Sequence, residues 1–402
     1  MLRWLSIVLA ISLAASGWAA KKKKKSDDDT GMLPVISEDK KKKKKSDEAM
    51  TQTLPPPKEA PSAVAAEADR LVFQVSPLSA KGLLSQQTRE ALRSLLRTSN
   101  GATIVKLRAF VAGSGDMRRI AEIAAEVFGE KHQGLPALSV VQAGALPLEA
   151  AQVVMESVAV DKRVTNPKGI AFISGQAGAS LTESLSKLKN ALTAVNLESI
   201  DVLRVTCFVS LLDEHPGARA EMETAFHGAA LNYIQMQREP VTPVAECEAV
   251  ARLRAAPVTD IAFLNPEKST TYSQVAMVTN SATLIFTGAQ LGFGGQEYDI
   301  KLAFERLKRA LISNHARFDH VAMSSVYVTS RAVADKVRAV RTGYYSPEHP
   351  PASTLLPFEG LPSLDASFGI DLVAPQETGA ALTQWVEKPW LARNLQLTGP
   401  RP

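Results

Sequence analysis

An α+β fold repeated three times is what this sequence predicts, and three observations carry it. An apolar strand recurs at Lys106–Val111 (KLRAFV), Arg204–Val209 (RVTCFV) and Met323–Val328 (MSSVYV). A helix of amphipathic spacing precedes each strand, and a second helix and a closing strand follow it. The copies sit about 90 to 125 residues apart, longer than a solenoid repeat and about the size of a small domain.

Each copy opens on an apolar strand with period-two character, at Leu71–Val75, Ile170–Ser174 and Thr283–Thr287. The first helix follows. Leu92, Leu95 and Leu96 recur at helical spacing in copy one, Leu185, Leu188 and Leu192 in copy two, and Phe304, Leu307 and Leu311 in copy three. The second helix is expected over Met117–Phe128, Ala218–Ala229 and Arg331–Tyr344. Two further strands then form a hairpin, closing on Val153–Ala159, Ala245–Ala251 and Phe368–Ala374. The module is ββαβαββ-like, a sheet covered by helices on one face. Its open face needs a partner, and three such sheets can bury theirs around a common axis, giving an intramolecular pseudo-trimer in a monomeric chain. Joints at Asp161–Lys168 and Arg254–Pro257 set the modules at 66–161, 162–254 and 255–377.

The formal charge of +5 belongs to a tail. Arg3 and an excess of 12 Lys over 8 Asp/Glu in residues 21–60 account for it, so residues 61–402 are neutral. A neutral folded part offers no general footprint for nucleic acid. Residues 1–19 read as a signal peptide, with an apolar run from Trp4 to Ala15 and a small-residue site ending at Ala19. The lysines Lys21–Lys25 that follow oppose translocation, so an uncleaved membrane anchor is the alternative to export to the periplasm or beyond. Residues 20–65 carry KKKKKSDDD, KKKKKSDE and a Pro-rich stretch, which makes them a disordered tether. It is either a solvated spacer or a contact for an anionic envelope surface.

The two cysteines, Cys207 and Cys247, align with Ala109 and Val326 and with Met155 and Ile370 in the other copies. These are small or apolar strand positions, so both cysteines read as buried core thiols, although an oxidising compartment would permit a bridge.

At the closing strands the chain resembles the RidA family, also called YjgF or L-PSP. Pro136–Val141 (PALSVV) followed by Gly144–Pro147 is similar to that family's PAR[ST] segment. Tyr272-Ser273-Gln274 with Leu284–Gln290 (LIFTGAQ), and Phe172–Gln176 (FISGQ), resemble its YSQ and SGQ stretches, and Glu246–Ala251 (ECEAVA) its EIEAIA ending. The resemblance covers about residues 66–376. It implies a chorismate-mutase-like fold, a trimer, and a ligand cleft between neighbouring modules. It further implies hydrolysis of reactive enamines and 2-imino acids to carbonyl product and ammonia, without metal or organic cofactor. In that chemistry an Arg forks onto the substrate carboxylate and a Glu positions the attacking water.

The chain departs from the pattern at those residues. Leu138, Leu231 and Ser353 stand at the motif arginine, and Val154, Glu246 and Gly369 at the glutamate. Glu246 is the candidate catalytic residue; the alternative is a strand-edge carboxylate facing water. Tyr272 and Ser174 match the family's cleft tyrosine and serine and are candidate ligand-binding residues with Leu138, Leu231 and Ser353. Gly292-Phe293-Gly294-Gly295 reads as a strand-to-helix turn and not a phosphate loop, since no lysine accompanies it. The six His show no HxH or HExxH pairing, so no metal site is expected. Trp385 and Trp390 in the tail after Glu377 suggest docking on an apolar groove. Two readings stand at this point: a diverged imine or enamine hydrolase working through Glu246, and a non-catalytic protein that binds a small metabolite or serves as a scaffold.

Overall fold

The computed structural model describes residues 58–113, 115–213, 216–237 and 244–377. The signal segment, the lysine blocks, Trp385 and Trp390 lie outside the described residues. The first part of the fold is β1 (Ala63–Glu67), β2 (Leu71–Val75), α1 (Leu84–Thr98), β3 (Thr103–Ala112), α2 (Arg119–Glu130), β4 (Ala137–Ala143) and β5 (Val153–Val160). The second is β6 (Ile170–Gly178), α3 (Leu181–Ala194), β7 (Val202–Val209), α4 (Ala218–Ala225), β8 (Ala230–Gln235) and β9 (Ala245–Arg252). The third is β10 (Ile261–Leu264), β11 (Val275–Val278), β12 (Thr283–Thr287), β13 (Gln290–Phe293), α5 (Glu297–Ser313), β14 (Met323–Val328), α6 (Arg331–Arg341), β15 (Ala352–Pro357) and β16 (Ala366–Pro375).

Local chemistry sets the helix limits. Ser180 and Ser330 cap α3 and α6, their Oγ atoms accepting from the N–H groups of Glu183 (3.2 Å) and Val333 (3.3 Å). Helix α4 stops at Ala225, short of the expected Ala229, because the chain leaves helical geometry at Phe226 and turns through Gly228 at φ +88°.

The expected closing hairpin is not formed. β4, β8 and β15 run parallel to the middle strands β3, β7 and β14, whereas β5, β9 and β16 pair antiparallel on the other side of those strands. The crossover through the second helix is the cause, because it returns the chain in the same direction beside the strand it left. Three strands absent from the sequence reading link the sheets. β1 precedes the first sheet but pairs with β12 of the third, and β10 and β11 extend the second sheet through β6. The tether expected to reach residue 65 therefore ends before Ala63. Ahead of β6, Asn166 docks by its side chain, donating from Nδ2 to the carbonyls of Ala68 and Leu71 at 3.2 and 2.8 Å.

Cys207 and Cys247 form a disulfide, contrary to the expectation of two core thiols. They face each other across β7 and β9 with Cα atoms 4.1 Å apart, the close approach of two directly opposed antiparallel residues.

Helices cover one face of each sheet and bury cores of their own, α1 and α2 over Leu107 and Met155, α3 over Val205, α5 and α6 over Val326. The other three faces meet one another. Phe73, Phe172 and Phe286, opposite Val158, Val250 and Val373 in register, share one apolar cluster. Phe110, Phe208 and Tyr327 share another with Phe358, at centroid separations of 5.6 to 6.1 Å. Burying each such ring is worth about 1.5–3 kcal/mol, so these contacts tie the three sheets into one body.

Candidate functional site

Four of the sequence-predicted residues converge at one junction of the second and third sheets. Ser174, on β6, is buried; its Oγ donates to the Ser273 carbonyl and accepts the Ser353 N–H of β15 at 2.9 Å. The Ser174 N–H donates to the Gln274 carbonyl at 3.0 Å, which fixes the segment carrying Tyr272 against β6. Tyr272 lines a cavity of about 400 Å³ with Gly175, Gln176, Lys187, Glu267 and Gln274, and its hydroxyl donates to Glu267 at 3.4 Å.

Glu246 lies on β9, between β6 and β7, and is not on a sheet edge. Its half-buried carboxyl rests on Gly175, where a Cβ would stand 1.9 Å from Oε1. Burial raises its pKa to about 8, the nearby charge of Glu248 adds to this, and Arg338 opposes it. At neutral pH the group is a carboxylic acid that can give a proton and take one back.

Sequence reasoning missed a buried cation beside Ser353. Arg341 ends α6 and is 4% exposed; its Nη1 donates to Ser353 Oγ at 3.2 Å. The signal was present, for Arg341 continues the buried stripe Val333, Ala334, Val337 and Val340, but a basic residue on an apolar face is usually read as a snorkelling one.

Leu138 and Leu231 fall elsewhere. Leu231 and Val154 line a cavity of about 710 Å³ with Phe73, Leu78, Met222 and Phe226; the charged pair Arg219 and Glu223 also lines it. That cavity is larger than the one beside Tyr272, and neither Glu246 nor Arg341 lines it. Leu138 lies at the third junction beside Gly288, with Pro61 and Ser62 of the N-terminal segment laid over it; the Gly288 N–H donates to the Ser62 carbonyl at 2.9 Å.

A buried ionic cluster was also missed. Glu156, Glu248 and Asp371 hold matching places on the three closing strands, opposite Arg108, Thr206 and Ser325. Arg108 donates to Glu156 at 2.6 and 2.8 Å and to Glu248 at 2.6 Å; Arg204 lies 3.5 Å from both, and Lys106 3.2 Å from Asp371. Thr206 and Asn232 donate to Glu156 at 2.6 and 2.7 Å. Burial works against ionisation of Glu156, yet Arg108, Arg204 and these hydrogen bonds hold its pKa at about 2. Three acids against three bases leave no net charge, which is why charge counting passed over the cluster.

No protein-family description matches the chain, and neither does any curated protein. Solved structures do. A YjgF-family protein from Neisseria meningitidis is 16% identical over 30% of this chain and 98% of its own, with a TM-score of 0.23. A Rid-family protein of unknown function from Yersinia pestis is 18% identical over 29% and 99%, at 0.25. A member of the YjgF/YER057c/UK114 family from Mycobacterium tuberculosis is 17% identical over 29% and 98%, at 0.22. These neighbours belong to the YjgF/RidA family, and each covers about a third of this chain or less.

Proposed function

We propose that the chain is a RidA-type protein in which three tandem modules stand in for the subunits of a trimer, and that its Glu246 cleft hydrolyses imines or enamines to a carbonyl product and ammonia. The observation that carries this reading is the convergence of Glu246, its pKa lifted to about 8, with Tyr272, Ser174 and Ser353 at one junction. The Glu246 carboxylic acid protonates the imine nitrogen. Water adds to the carbon while the carboxylate takes its proton. The proton then passes to the amine, the C–N bond breaks as the carboxylate takes the proton of the carbinol hydroxyl, and ammonia leaves with the carbonyl formed. The glutamate ends as it began, and the net reaction consumes one water per imine. Ammonia release from freshly generated 2-iminopropanoate tests it. Release should fall to background in Glu246→Gln; parent release no greater than the variant's would end the proposal.

A non-catalytic binding protein is the second reading. It is favoured by Leu138, Leu231 and Ser353 at the motif arginine and by the apolar cavity around Val154. Thermal stabilisation by a neutral metabolite without turnover would support it. We extend the proposal to export. The N-terminal apolar run and a Cys207–Cys247 bridge suit an oxidising compartment, where the lysine tether would meet anionic envelope polymer. Recovery of the mature chain in the reduced cytosol would count against it.

A further inference from the structure

Three cationic residues are buried among the described residues, and two of them have carboxylate partners. Lys106 pairs with Asp371 and Arg108 with Glu156 and Glu248, with the partly buried Arg204 3.5 Å from the same two carboxylates. Arg341 is the exception. Its one hydrogen bond among the described residues goes to the neutral Ser353 hydroxyl at 3.2 Å, and its Nε has no partner. The charged and titratable groups facing it are the phenols of Tyr345 and Tyr272 and the like-charged Arg338. Burial lowers its pKa, as expected of a cation denied a counterion.

A guanidinium held out of water without an anion is costly, and the cost is removed when a ligand brings the anion. The planar fork suits a carboxylate, which it can hold through two parallel N–H groups. Position decides where that anion would lie. Arg341 bonds the Ser353 side chain, whose backbone N–H donates to Ser174 Oγ, and Ser174 is the neighbour of Gly175, on which the Glu246 carboxyl rests. Tyr272 feels the charge of both Glu246 and Arg341.

We propose that Arg341, entering from α6, is the anion-binding residue of the Glu246 cleft, and that the cleft selects ligands carrying a carboxylate over their neutral analogues. The guanidinium thus comes from a helix in a chain that has none at the equivalent strand positions. The proposal deepens the hydrolytic reading, on which its catalytic consequence rests, but anion binding itself needs no turnover.

Calorimetric titration of the full chain with benzoate and with benzamide tests it. Benzoate should bind at least about ten times more tightly, a difference of about 1.4 kcal/mol. Arg341→Met should abolish that preference, Arg341→Lys should keep part of it, and Glu246→Gln should leave it intact. Equal affinity for the two compounds in the parent chain overturns the proposal, whatever the variants do. So does an Arg341→Met chain that still prefers benzoate tenfold. Carboxylate preference in a parent chain that never releases ammonia would sink the hydrolytic reading alone. Turnover of 2-iminopropanoate with an unchanged KM in Arg341→Met would sink the anion site alone.

Discussion

Gly175 lies directly beneath the Glu246 carboxyl, with no room between them for a methyl group: a Cβ at 175 would come within 1.9 Å of Oε1. The contact joins two adjacent strands, β6 and β9, and sets the position of the acid beside Gly175.

Gly175→Ala should therefore displace Glu246 while the sheet stays paired. Misplacing a reacting group by an ångström costs about 100-fold in rate. Ammonia release should drop by that order, with a far-ultraviolet spectrum like the parent's.

The raised pKa of Glu246 has a consequence for stability. The folded state holds its proton up to about pH 8, whereas the unfolded carboxyl loses it near 4.5. The contribution is fully present below pH 4.5 and is lost as pH rises to about 8. Glu246→Gln should remove this loss, so denaturation midpoints of variant and parent should diverge in the variant's favour between pH 5 and pH 8.5.

Glu156 behaves in the opposite sense. Its folded pKa of about 2 means that its contribution is present above pH 4.5 and fades as pH falls toward 2. Removing one partner of a buried ion pair costs about 3–5 kcal/mol. Glu156→Gln should lose about that much at pH 7 in urea denaturation, and less at pH 3.

The Cys207–Cys247 bridge closes a loop with a sequence separation of 40. A bridge of this kind stabilises by about 2–4 kcal/mol. Replacing both cysteines by Ala should lower the urea midpoint accordingly and remove the sensitivity of that midpoint to dithiothreitol.

Much of the module was legible because periodicity is local. Leu71–Val75, Thr283–Thr287 and Met323–Val328 are strands with the expected limits. The disulfide was not legible in the same way. Cys207 aligns with Ala109 and Val326, and Cys247 with Met155 and Ile370, but that these positions face each other follows from the pairing of middle and closing strands in the fold. The hairpin error has a different source, for strand order across a sheet depends on where a crossover helix packs.

The α+β elements, the neutral charge of residues 61–402 and the candidacy of Glu246, Ser174, Tyr272 and Ser353 are legible in the sequence alone. These follow from patterns that short stretches carry alone. Packing of the sheets brings those four to one junction, puts Leu138 and Leu231 at two others, and carries Arg341 beside Ser353 from a helix. It also joins β1 to β12, and β10 and β11 to β6, far from each other along the chain. The physical reason is common to all of these. Which side chains meet across a boundary between sheets depends on how three open faces bury one another, and that packing has no periodicity along the chain.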